Sequence, residues 1–127
     1  MNIKKRVLCV DDDFMSQKIL KALLSAGGVD VVIAENGESA LELVNKEAID
    51  LIFMDALMPG ISGFEACKIL KSTEQHKHIP VIMLTGLSSS DSERMSKEAG
   101  ADGWLEKPID KKRLTEKLDT HLKKELR

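Results

Sequence analysis

Five polar residues stand at or just beyond the ends of short apolar runs in this 127-residue chain. Asp11 and Asp12 follow RVLCV, Asp55 follows LIFM, Thr85 closes PVIMLT, and Lys107 follows GWLE. An isolated ionised carboxylate is very costly to bury, so an acid at the end of a run as apolar as Leu51–Met54 calls for a partner, a metal or an opening to water. If the three carboxylates of Asp11, Asp12 and Asp55 lie close together they repel, and they favour a hard divalent cation with oxygen ligands such as Mg²⁺. A lysine ammonium and a threonine hydroxyl beside that cation suit a phosphoryl group. A carboxylate can itself accept a phosphoryl group as an aspartyl-phosphate, which makes Asp55 a candidate nucleophile.

This chemistry requires the five residues to meet, and the elements between them predict that they do. Short apolar runs alternate with longer segments of helical period, with Gly, Pro, Ser or Asp punctuation between them. RVLCV, VDVVIA, LIFM, PVIMLT and GWLE read as five strands. The intervening helices are expected over Met15–Ser25, in ENGESALELVNKEA, over Phe64–Ser72, and in SSSDSERMSKEAG. A last helix begins near Asp110 and carries an apolar stripe of Leu114, Leu118, Leu122 and Leu126. Continuously apolar strands alternating with helices predict an α/β domain: a doubly wound, five-stranded parallel sheet with helices on both faces. Ligands of such sheets bind beyond the carboxyl ends of the strands, near the point where strand order reverses, and all five polar residues belong to that edge.

Composition narrows the function. The length suits one domain, residues 1–127, and 43% hydrophobic content fills a single core. A net charge of -2 offers no global attraction to nucleic acid or to an anionic membrane. Cys9 and Cys67 sit inside apolar segments without metal-ligand or CxxC spacing and read as reduced, buried residues. No signal-peptide pattern follows MNIKKR, and no apolar run approaches the ~18 residues of a membrane span, so the expected location is cytoplasmic. His76, His78 and His121 fall away from the strand-end edge and are expected to face solvent. A phosphodonor histidine therefore has to come from another protein.

With VDDD after the first strand, MDALMPGISG after the third, MLTG after the fourth and EKP after the fifth, the chain resembles the receiver domains of two-component response regulators, the CheY-like family. The resemblance implies that Asp11 and Asp12 bind Mg²⁺ together with Asp55 and the backbone carbonyl of Leu57. It implies that Asp55 takes the phosphoryl group from a sensor histidine kinase or a histidine phosphotransfer protein, while Thr85 and Lys107 engage the phosphoryl oxygens. Thr85 and Trp104 would form the switch that alters a surface for a downstream protein target, in a monomer or a phosphorylation-dependent dimer. Asp13 aligns with a variable position and reads as a solvated helix-start charge; Asp11 and Asp12 double as candidate caps of the first helix. The Lys107–Pro108 bond is expected in cis.

Two positions depart from the family pattern: Trp104 stands where Tyr or Phe is usual, and Ser62 replaces an acidic turn residue. Two other readings use the same residue types. Phosphatases of haloacid dehalogenase type place a second Asp two residues after the nucleophile, where this chain has Leu57, and a degenerate receiver would serve only as a docking module. A flavodoxin-like phosphate loop is excluded by the lack of glycines in VDDDF.

Overall fold

The computed structural model describes residues 4–122. Ten elements alternate along the chain: β1 (Arg6–Val10), α1 (Phe14–Ser25), β2 (Asp30–Ala34), α2 (Gly37–Lys46), β3 (Leu51–Asp55), α3 (Gly63–Ser72), β4 (Val81–Thr85), α4 (Ser89–Ala99), β5 (Gly103–Glu106) and α5 (Lys111–Leu122). The strands form one parallel sheet in the order β2-β1-β3-β4-β5.

Alternation within each central strand divides the core into two layers. Val7 and Cys9, Leu51 and Phe53, and Ile82 and Leu84 join Leu20 and Leu24 of α1 and Leu114, Leu118 and Leu122 of α5. Their neighbours Leu8 and Val10, Ile52 and Met54, and Val81 and Met83 join the opposite layer, built from α2, α3 and α4 through Ala40, Val44, Phe64, Cys67, Leu70 and Ala99. Both faces are covered, which is why the strands read as continuous apolar runs rather than as half-polar ones. Three leucines of the expected α5 stripe are buried, and Leu126 lies outside the described residues.

Caps fix where the helices begin. Asp13, Asn36, Ser62 and Ser88 each accept a backbone N–H from three residues further on. The capping role expected of Asp11 and Asp12 belongs to Asp13, because the chain turns into α1 only after it. Ser62 forms a reciprocal capping box with Glu65, and α3 consequently starts at Gly63. Gly100 closes α4 in the left-handed conformation, with φ of 81°. Among the described residues no helix is long and apolar enough to cross a membrane.

Candidate functional site

Register brings the polar residues together. Val10 lies opposite Met54 in the β1–β3 pair, so the next residues, Asp11 and Asp55, emerge side by side. Asp55 pairs with Leu84 on β4, and Thr85 pairs with Glu106 on β5, which places Thr85 and Lys107 on the same edge. β1 leads to β2 on one side while the chain crosses to β3 on the other, so this edge is also where strand order reverses.

Asp11 is held at three of its polar atoms. Its N–H donates to Ala34 O (3.1 Å), its carbonyl accepts from Gln17 Nε2 (2.8 Å), and its Oδ1 accepts from the Asp13 N–H (2.8 Å). The remaining oxygen, Oδ2, is buried without a hydrogen-bond partner, and Lys107 Nζ stands 4.0 Å away. A buried carboxylate oxygen left in this state is suited to a ligand that the polypeptide does not supply. Asp12 is exposed at the mouth of the site. One carboxylate oxygen from each of Asp11, Asp12 and Asp55 lies within 4.8 Å of the others, a spacing that a small divalent cation can bridge.

Asp55 is buried, and its Oδ1 accepts from Lys107 Nζ at 2.8 Å. Burial pushes its pKa up, and the hydrogen bond and charge of Lys107 oppose that rise. Burial likewise raises Asp11, against the Asp13 N–H, and the neighbouring Asp55 charge adds to the increase. Asp13 is exposed and moves the other way, because its carboxylate accepts from the Ser16 N–H. Repulsion and desolvation thus load the site with carboxylates that one lysine only partly compensates. The opening run of Leu51–Met54 ends in an acid because that acid stands at an edge equipped with its own cation and an aqueous mouth.

The loop after β3 is shaped by glycine. Gly63 donates to Ala56 O at 2.8 Å and packs against the Asp55 carbonyl so closely that a side chain has no room there. Gly60 has φ of 84°, and the Ile61 N–H donates to Glu38 Oε2 at 3.3 Å, docking the loop on α2. Leu57 lies in this loop two residues beyond Asp55 and is 63% exposed. The Lys107–Pro108 bond is cis, as expected.

Thr85 is buried, and its Oγ1 accepts from the Leu87 N–H at 2.9 Å and from Ser92 Oγ at 3.3 Å. Trp104 is half-buried on β5 opposite Met83, packed against the layer that contains Met83 and Ala99. His78 is exposed, and His76 and His121 are half-buried, His76 Nε2 lying 2.9 Å from Asn45 Oδ1 in an exposed contact, so the solvent-facing expectation holds in full for His78 and in part for the other two. Cys9 and Cys67 are free and buried, and desolvation pushes their thiols up to about 12 and about 11.

Two residues at this site have no sequence signature. Gln17 is one amide on a helix and Ser92 one serine in a serine-rich run; only the fold turns them toward Asp11 and Thr85.

The response regulator receiver domain family matches residues 7–119. The polar-differentiation response regulator DivK of Brucella anthropi is 33% identical over 118 residues, which cover 93% of this chain and 96% of DivK. The chemotaxis protein CheY4 of Vibrio cholerae superimposes with a TM-score of 0.88 at 33% identity, over 94% of this chain and 100% of CheY4. A CheY-like receiver domain protein of Methanospirillum hungatei gives a TM-score of 0.87 at 30% identity, over 96% of each chain. A match across nearly all of the fold, including the strand ends that carry the acidic edge, leads to one conclusion: the chain belongs to the response regulator receiver domain family.

Proposed function

We propose that this protein is a phosphoacceptor switch, with residues 1–127 acting as one receiver unit and Asp55 as the acceptor. The observation that carries the reading is the buried Asp55 carboxylate with Lys107 Nζ at 2.8 Å and the oxygens of Asp11 and Asp12 gathered beside it. An Asp55 oxygen attacks the phosphorus of a phosphohistidine. The P–N bond breaks, its electron pair stays on the imidazole nitrogen, and that nitrogen takes up a proton. Lys107, already on Asp55, is placed to follow the incoming phosphoryl oxygens, and the Thr85 hydroxyl is placed to donate to one of them. Asp11, Asp12, Asp55 and the Leu57 carbonyl would hold Mg²⁺, which when bound offsets the charge gathered around the phosphoryl group. The unpartnered Asp11 Oδ2 supports that assignment.

The donor would be a sensor histidine kinase or a histidine phosphotransfer protein. Phe14, Met15 and Ile19 of α1 are exposed next to a cleft of about 240 Å³ lined by Asp11, Lys107 and Pro108, which supports an apolar docking surface around the acceptor. Receiver domains are signalling proteins rather than enzymes, and Leu57, at the position where a dehalogenase-type phosphatase needs its second acid, gives no support to turnover of small phosphates. With acetyl phosphate and Mg²⁺, intact-mass measurement should record the gain of one phosphoryl group by the wild type and none by Asp55→Asn. Equal uptake by the two proteins would remove Asp55 as the acceptor.

A further inference from the structure

The Thr85 hydroxyl accepts two hydrogen bonds. A hydroxyl offers two acceptor lone pairs and one proton. Both acceptor positions are taken, one by the Leu87 N–H at 2.9 Å and the other by Ser92 Oγ at 3.3 Å. The proton is the capacity left, and it is the part of the group that a phosphoryl oxygen requires. Donation from Thr85 therefore breaks neither bond. Whatever pulls the Thr85 oxygen also pulls on Leu87 and on Ser92.

Ser92 lies in the first turn of α4 and is fully buried. Its single proton is shared between Thr85 Oγ1 and Leu87 O, each 3.3 Å away, so one side chain ties the end of β4, the β4–α4 loop and α4 together. The helix it holds is lightly anchored. The buried face of α4 consists of Ser92, Ser96 and Ala99, whereas α1 buries two leucines and α5 buries three. Small side chains offer little dispersion energy to resist sliding. Ser96 Oγ is buried without a hydrogen-bond partner, a state that a shift of the helix can relieve.

Building on the phosphoacceptor reading, we infer that Ser92 is a positioning residue: its hydroxyl tethers Thr85 to α4, so that capture of the Thr85 proton by a phosphoryl oxygen is transmitted to the helix through this one hydrogen bond. The tether separates two quantities. Binding of the phosphoryl mimic depends on Asp55, Lys107 and the acidic edge, and the response of α4 depends on Ser92.

The test uses the full chain with beryllofluoride and Mg²⁺. Fluorine NMR reads binding, and hydrogen exchange followed by mass spectrometry reads peptides over 88–100 separately from those over the loop after β3. In the wild type both regions should change protection. In Ser92→Ala, beryllofluoride should still bind and the β3–α3 loop should still respond, while the α4 response falls at least roughly five-fold, the factor that one net hydrogen bond supplies. Thr85→Ser keeps the hydroxyl and should keep the response. Thr85→Ala should lose it, and adding Ser92→Ala to Thr85→Ala should change nothing more.

A full α4 response in Ser92→Ala, or a further loss in the double variant, overturns the tether and leaves the phosphoacceptor reading intact. Wild-type binding without any α4 response overturns it too. Failure of the wild type to bind beryllofluoride at all overturns the phosphoacceptor reading, and the tether with it.

Discussion

Asp11 shows what the site costs the fold. Its carboxylate is buried, one oxygen has no hydrogen-bond partner, and burial raises its pKa above the ordinary value of 3.8. A raised carboxyl pKa means that the folded protein holds the proton more tightly than the unfolded chain does. The associated stabilisation is fully present below the ordinary value and is lost as pH rises through the folded value, so at neutral pH the Asp11 charge opposes folding. Asp11→Asn keeps an acceptor for the Asp13 N–H and removes that charge. In metal-free buffer at pH 7 the variant should be more stable by about 1 kcal/mol, read as a higher melting midpoint. Added Mg²⁺ should raise the midpoint of the wild type and have little effect on the variant. An Asp11→Asn protein that melts lower than the wild type would contradict the assignment of net strain to this carboxylate.

Capping decides the shape of the elements around Asp55. Ser62 reads in the sequence as the loss of an acidic turn residue, yet in the fold its Oγ accepts from the Glu65 N–H at 3.1 Å while Glu65 Oε1 accepts from the Ser62 N–H at 3.0 Å. The box starts α3 at Gly63, directly against the Asp55 carbonyl, so a local capping choice sets the loop that carries Leu57. Ser62→Ala should lower stability by about 1 kcal/mol in chemical denaturation. Glu65→Ala should do so by less, because the Oγ bond survives. Equal stability of Ser62→Ala and wild type would mean that the loop, and not the cap, holds the start of α3. α4 differs from α3 in having little apolar anchorage, and that contrast is legible in the sequence: SSDSERMSKEA carries one large apolar residue, Met95.

The whole molecule has a net charge of -2, and its acidic edge lies at the carboxyl ends of the strands. Lys and Arg concentrate on α5, opposite its buried leucines. Among the described residues that distribution gives no extended basic stripe, and the net charge is negative, so random duplex DNA should not be retarded in ~150 mM salt. A shifted band at that salt would reveal a basic surface that composition conceals. Stability at this scale also depends on ties between distant segments. Lys71 Nζ donates to Ile79 O and to Asp102 Oδ2, each at 2.8 Å, and Asp102 Oδ2 also accepts from the Val81 N–H at 2.8 Å. One lysine and one aspartate, unremarked in the sequence, thus fasten α3 to the entrances of β4 and β5.

Element order is legible in the chain alone, because periodicity, caps and turn residues are local properties that short windows reveal. So is the two-sided cover of the sheet, since strands apolar at every position have no face to give to water. So too are Asp11, Asp12, Asp55, Thr85 and Lys107, whose polarity contrasts with the runs they follow. Which of them touch depends on how the strands pair in the folded chain. Asp11 stands beside Asp55 because β1 pairs with β3, and Lys107 reaches Asp55 from β5, two strands away in the sheet. Pairing between strands about forty residues apart is a non-local choice, made by packing the whole core and not by any window of the chain. For the same reason Gln17 and Ser92 became visible only in the fold: a side chain's partner across a helix–strand junction depends on how the two elements dock, and nothing in the residue's own neighbourhood encodes that distance.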